Sequence, residues 1–524
     1  MSKRALEILN KMTLKQKLGQ LMMAGFEDSF YDEHAKILIE EYKVGNIILF
    51  TRNINTIPEL IKLNKKIYKE VIANTGLIPF ISIDQEGGMV TRIMNGATFC
   101  PGNMTISATN NPDNAKVVGT IIGEELKRLG INMNLAPSLD VNNNPLNPII
   151  GVRSYGDNPD IVTEYGKNWI EGVQSAGVLA TAKHFPGHGD TTVDSHLGLP
   201  TITHSMTRLE KIEIKPFASI ASSVKAIMSA HIIFKEMDDV PATLSKNILT
   251  GLLRDKLGYN GLIISDCLQM KAIDNLYTTE KGFVMGVKGG LNIGCVCHSL
   301  DRQIASLKAL EEAINEGFVS MDDINERVLR VIDAKLEIQD IFVNEFLNKD
   351  DEELLKYFDN DHQEIVQRIT DESLTLVKGK PLQVKGKTVL IGNVPFASTI
   401  VEDELDKRNI IDVINKKCNI DTYKVDTNPT NIDEIVEAVK GYDTIIYVTY
   451  NMYINSNQKL LALKLEALNK NFYVISSRNP YDYNYLTDIK NISCLYEYTP
   501  VSLNTIVKYI NGEIECNGKL PIEL

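Results

Sequence analysis

Between residue 40 and about residue 300 the chain returns seven times to a short, nearly unbroken apolar run. These read VGNIILF (44–50), IPFISID (78–84), INMNLAP (131–137), VLATAKHF (178–185), AIMSAHI (226–232), GLIISD (261–266) and LNIGCVC (291–297). Most are rich in Ile, Val and Leu and lack strict polar alternation, which suits strands buried on both faces of a parallel sheet. Amphipathic stretches such as SKNILTGLLRDKLG (245–258) lie between them. Strand and helix in such alternation impose an α/β class, and over this length they predict a (β/α)8 TIM-like barrel. The pattern leaves the eighth strand unplaced.

A chain of 524 residues exceeds one ordinary core. The barrel closes in SMDDINERVLRVIDAKLEI, where Ser320 and Asp323 make a start like a capping box and Ile324, Val328, Val331, Ile332 and Leu336 form one stripe. The charged NEFLNKDDEELLKYFDNDHQE reads as a solvated helical linker. Apolar runs then resume as TVLIGN (388–393), TIIYVTY (444–450), FYVISSRNP (472–480) and SCLYEY (493–498). The expected organisation is a barrel over 1–340, a linker over 341–370 and a smaller open α/β domain, an αβα sandwich, over 371–524.

A net charge of -13 argues against a nucleic-acid partner, and no apolar run reaches the eighteen residues of a membrane span. The N-terminal stretch lacks the features of a signal peptide. Seven cysteines without paired spacing suit reduced thiols, so a cytoplasmic location is expected. Oligomeric state is not legible.

Polar residues gather just after the apolar runs: Arg52 and Asn53, Asp84 to Gly88, Asp140, Lys183 to His196, His231, and Asp266. In a barrel these are the carboxyl ends of the strands, where active sites sit. Taken singly, Asp266 reads equally well as a helix N-cap and His231 as a hydrogen-bonded core residue. His34, His204, His298 and His362 read as structural.

The loop KHFPGHGDTTVDSHLGLP (183–200) resists a structural reading, because so many titratable groups on an irregular segment are costly to bury unpaired. Two chemistries compete for it. His184, His188 and His196 with Asp190 or Asp194 make a zinc set, although Pro186 and Gly187 break the helix that would align the first two. Alternatively Asp194 beside His196, with Ser195 turned away, makes a tuned histidine acid.

The same loop resembles the signature K-H-F-P-G-H-G-x-x-x-x-D-S-H of the β-N-acetylglucosaminidase branch of glycoside hydrolase family 3. GNIILFTRN (45–53), SIDQEGGMVTRI (82–93), NLAPSLDVNNNPLNPIIGVRSYG (134–156), MSAHI (228–232), PATLS (241–245), SDCLQM (265–270), SSRNPYD (476–482) and NGKLPIEL (517–524) follow in that family's order. The resemblance implies Asp266 as nucleophile, His196 as general acid/base and Asp194 as its partner. It implies that Asp84, Arg92, Arg153, Lys183 and His184 hold the N-acetylglucosamine ring, with His188 in support. Cys267 departs from the family, which often has a small or acidic residue after the nucleophile.

A retaining glycosidase needs a carboxylate on one side of the anomeric carbon and a proton donor on the other. No glutamate stands out as the donor, and a histidine beside a carboxylate serves at neutral pH. Asp266 is expected near Lys183 and Arg153, which would keep it ionised. The resulting expectation is a metal-free, cofactor-free exo-β-N-acetylglucosaminidase acting on muropeptides or chitooligosaccharides. A phosphorylase using inorganic phosphate, a zinc-dependent barrel hydrolase and a catalytically silent sugar-binding protein are the alternatives.

Overall fold

The computed structural model describes every residue except 1, 193, 195–197, 359, 394–401, 403–408 and 469. All seven apolar runs form strands of one closed parallel barrel. They are β2 (Asn46–Leu49), β3 (Phe80–Ile83), β4 (Met133–Asn134), β5 (Leu179–Phe185), β6 (Ala226–Ser229), β7 (Leu262–Cys267) and β8 (Ile293–Val296). The missing eighth strand, β1, is Met22–Ala24, three residues that leave the helix Leu14–Gln20 after a single residue. It pairs with β8 through Met22 and Gly294 and with β2 through Met23 and Asn46, so each barrel strand lies beside its neighbours in sequence and β1 joins β8.

The closing helix Met321–Phe342 begins as expected, with Ser320 Oγ accepting from the Asp323 amide at 3.1 Å. Ile324, Val328, Val331 and Ile332 are fully buried, whereas Leu336 packs at the core's edge. The charged stretch after it departs from the solvated linker that its composition suggests. Its Phe346 and Leu354 are buried, and its last residues open the helix His362–Glu372, where Gln363 Oε1 accepts from the Phe99 amide of the barrel at 3.1 Å.

The second sheet contains β9 (Thr375–Lys378), β10 (Thr388–Asn393), β11 (Asp421–Val425), β12 (Thr444–Thr449), β13 (Asn471–Ser476) and β14 (Ile492–Cys494). Their order is β9-β14-β13-β12-β10-β11, parallel throughout except for β9 against β14. Alternation along β12 sends Ile446 and Val448 to one face and Ile445 and Tyr447 to the other, giving the sheet a core on each side. One of these cores is shared: Met89, Met104, Ala108 and Val152 of the barrel pack into it. The second domain is thereby seated on the loops that follow β3 and β4.

Candidate active site

Those loops, with the ends of β5 and β7, shape a cavity of about 370 Å³ at the barrel's carboxyl mouth. Seven of the nine site residues expected from the sequence line it together: Asp84, Arg92, Arg153, Lys183, His184, His188 and Asp266. Two strands lose regular register where they deliver these groups. β5 slips against β6 between Ala182 and Phe185, and β7 slips against β8 between Ile264 and Cys267. Such irregularities re-aim side chains, here Lys183, His184 and Asp266.

One wall is ionic. Glu86, on the hairpin Gln85–Gly87/Val90–Thr91, grips Arg153 with both oxygens, at 3.0 Å to Nε and 2.8 Å to Nη2. Lys183 Nζ reaches Glu86 Oε1 and Asp84 Oδ1, each at 2.7 Å, and Arg92 Nη2 stands 3.9 Å from Asp84 Oδ2. Burial opposes the charge of Glu86, but Arg153 and Lys183 outweigh it and hold the carboxyl well below the usual range. Burial likewise opposes the charge of Lys183, and Asp84 and Glu86 together raise its pKa. The two carboxylates differ in reach: the Asp84 side chain is 16% exposed and that of Glu86 3%. Asp84 can therefore accept from a ligand hydroxyl, while Glu86 organises the cations. Lys183 and Arg153 line the same cavity as Asp266, and their side-chain bonds to Asp84 and Glu86 hold them there.

Behind this wall Asp140, fully buried, collects the His184 loop. Its Oδ2 lies 2.7 Å from His184 Nδ1, and its Oδ1 accepts from the amides of His184 and His188 at 3.1 and 2.7 Å. Burial works against its charge, but the neighbouring His184 and His188 and the bonds from His184 lower the carboxyl to about 2. An ionised Asp140 only accepts, so His184 carries its proton on Nδ1. His188 bonds Thr191 Oγ1 through Nδ1 at 2.9 Å. Burial and the proximity of His184 depress its pKa to about 4, leaving the imidazole neutral at pH 7.

Asp266 is the penultimate residue of β7, and its Oδ1 accepts from the Cys267 amide at 2.7 Å. His231 is a core residue, bonded to Thr243 Oγ1 at 2.9 Å and to the Cys267 carbonyl at 3.0 Å, and so braces the backbone beside Asp266. Cys267 lines the cavity with Cys295 and Cys297, and its bond to Cys297, together with burial, keeps it a thiol. Beyond them stand Phe50 and His298, ring centroids 5.1 Å apart, with the Arg52 guanidinium 4.5 Å from the Phe50 centroid. His298, read as structural from sequence, thus faces the cavity. His34, His204 and His362 bond Gln303, Asp190 and Glu125.

Asp194 is buried and does not line the cavity; His196 lies outside the described residues. Of the zinc set, His184 and His188 use Nδ1 on Asp140 and Thr191, and Asp190 pairs with His204. Among the described residues no group of three or more His, Cys, Asp or Glu is arranged to hold a metal ion, and no helix is long and apolar enough to cross a membrane. The sequence does not expose the orienting roles of Glu86 and Asp140, although both residues stand in clusters after apolar runs.

Residues 13–334 match the model of the glycosyl hydrolase family 3 N-terminal domain. Over 327 residues, 57% of this chain and 54% of the relative, the sequence is 36% identical to the β-hexosaminidase A of Pseudoalteromonas piscicida. A β-hexosaminidase of Idiomarina loihiensis is 32% identical over 287 residues, 54% of this chain and 84% of its own. The solved structure of a glycoside hydrolase family 3 β-N-acetylglucosaminidase from Paenibacillus sp. superimposes over 98% of this chain and 99% of that one, with a TM-score of 0.89 and 36% identity. With its barrel, its second α/β domain and a matched segment that spans the whole barrel, the chain belongs to glycosyl hydrolase family 3.

Proposed function

We propose that the protein is a retaining exo-β-N-acetylglucosaminidase. The observation that carries this reading is that Asp266 lines the same cavity as Asp84, Arg92, Arg153, Lys183, His184 and His188, which come from three other strand ends. The names of its relatives, β-hexosaminidase and β-N-acetylglucosaminidase, support the same substrate class. Asp84 accepts bonds from the outer hydroxyls of the terminal sugar, and Arg92, Arg153, Lys183 and His184 fix the ring, with His188 behind them. Asp266 attacks the anomeric carbon while His196, oriented by Asp194, gives its proton to the departing oxygen. A glycosyl ester on Asp266 forms as the glycosidic bond breaks. Water then attacks the same carbon, losing a proton to His196 and releasing the carboxylate, so two inversions preserve the β configuration.

The substrates of this reading are muropeptide fragments or short chitooligosaccharides in the cytoplasm. A 5-fluoro-N-acetylglucosaminyl fluoride should label the peptide that contains SDCLQM. Products from a disaccharide should be β-configured free sugar, unchanged when inorganic phosphate is added. Label on another carboxylate, or an inverted product, refutes the mechanism, and a sugar phosphate makes the enzyme a phosphorylase.

A further inference from the structure

Arg153 sits in the 3-10 turn Gly151–Arg153, and that turn is held from two sides. On one side the Arg153 carbonyl accepts from Asn103 Nδ2 at 2.6 Å. Asn103 opens the short helix Asn103–Ala108, whose start is fastened to a residue of the second domain. Glu497 Oε2 accepts from the Gly102 amide at 2.7 Å and from Thr105 Oγ1 at 2.8 Å, and Thr499 Oγ1 donates to Oε1 at 2.7 Å. Room for this carboxylate depends on two glycines. A Cβ on Gly88 would stand 2.9 Å from Glu497 Oε2, and one on Gly102 3.3 Å.

On the other side, the Gly151 amide donates to Asn142 Oδ1 at 3.0 Å. Asn142 is in turn clasped by the second domain: its Nδ2 donates to Tyr481 Oη at 3.0 Å, and Tyr481 Oη lies 3.2 Å from its carbonyl. Both Glu497 and Tyr481 are buried, so water does not compete for these bonds.

We propose that the second domain is a working part of the sugar site, with Glu497 and Tyr481 as positioning residues that set the turn carrying Arg153. Two separate hydrogen-bonded struts leave one domain and end on the same three-residue turn of the other. Arg153 is thereby held where Glu86 clamps its guanidinium, and Glu86 in turn sets Lys183. The inference rests on the proposed role of Arg153 in holding the sugar. An uncoupled second domain would have no reason to meet the barrel at a buried carboxylate flanked by glycines.

The test is a double-mutant cycle on the full chain, with kcat/KM measured on a chromogenic β-N-acetylglucosaminide and thermal unfolding in parallel. Loss of a strut is expected to lower kcat/KM about tenfold for Glu497→Ala and about threefold for Tyr481→Phe, and both losses should vanish in an Arg153→Ala background. Glu497→Gln, which still accepts from Gly102 and Thr105, should recover most of the activity. Losses that multiply with Arg153→Ala, or a lower Tm with unchanged kcat/KM, overturn the inference. Should Glu497→Ala not fold, Tyr481→Phe, which removes one oxygen, decides the matter alone. If Arg153→Ala itself leaves kcat/KM intact, the reading of the sugar site has failed first and this inference falls with it.

Discussion

On the β3 to β5 side of the cavity, Asp84, Glu86, Arg153 and Lys183 form a wall of charges, each bonded to another within 3.0 Å and nearly all withdrawn from water. On the β7, β8 and β2 side, Cys267, His298 and Phe50 offer rings and sulfur, and His298 stands exposed. Buried charges are expensive unless paired, and once paired they are directional, so a wall of this kind reads one fixed arrangement of hydroxyls. Rings attract through area and tolerate a shifted partner. On the proposed function, the contrast gives the terminal sugar to the first wall and the variable aglycone to the second.

Asp266 stands where the walls meet, and its removal is the most severe way to test them. On the proposed function, Asp266→Asn should lower kcat by at least about a thousandfold, because its neighbours cannot replace the proposed nucleophile. Initial rates on an activated aryl glycoside measure this, and a variant within tenfold of the parent would remove Asp266 from the chemistry. The ionic wall should then divide by exposure. Glu86→Gln breaks a buried cluster and should destabilise the fold by about 3–5 kcal/mol, read by urea unfolding. Asp84→Ala should instead cost about 2–4 kcal/mol in kcat/KM with a smaller change in stability. Equal profiles for the two carboxylates would erase the distinction between organiser and acceptor.

A pH titration separates the buried imidazole from both walls. His188 has a folded pKa of about 4 against an ordinary 6.5, set by burial and by His184. The unfolded chain therefore binds a proton that the folded chain refuses between those values. The stability that neutral His188 contributes is complete above pH 6.5 and is lost as pH falls toward 4. This amounts to about 2 kcal/mol between pH 7 and pH 5. His188→Gln should flatten that part of the unfolding profile, and parallel wild-type and variant profiles would contradict it. Glu86 and Asp140 share the sign, but their carboxyls titrate lower still, so their losses follow in stronger acid.

The barrel was legible because strands buried on both faces must be apolar throughout, and seven such runs declared themselves. The three residues of β1 did not, since MMA leaves a helix after one residue and is too short to show a period. Edge strands β9 (TLVK) and β11 (DTYKV) are not legible in the sequence because half-exposed strands carry lysine, threonine and tyrosine. At the site, the roles proposed for the cavity residues come from the family resemblance. What organises them was hidden by sequence distance: Glu86 meets Arg153 across 67 residues and Asp140 meets His184 across 44. His298 reads as structural in the sequence because one polar residue after an apolar run looks like any loop residue until Phe50 lies beside it.

The smallest expected effect probes the wall of rings. His298→Ala removes the exposed imidazole but spares its backbone amide, which donates to Gln269 Oε1 at 2.7 Å and ties the loop after β8 to the loop that follows Asp266. The substitution spares Asp266 itself and subtracts stacking area together with a side-chain hydrogen bond to the Cys267 thiol. A ring contact of this kind is worth about 0.5–1.5 kcal/mol, so kcat/KM for a β-linked N-acetylglucosamine disaccharide should fall about two- to tenfold. β-N-acetylglucosaminyl fluoride carries no second ring to stack, and its turnover should be unchanged. Phe50→Ala should act in the same direction, since it removes the surface against which His298 rests. If the fluoride suffers as much as the disaccharide, His298 acts on the bound sugar itself. The division of labour between the two walls would then be wrong, and the aglycone would have to be sought above the cavity's mouth.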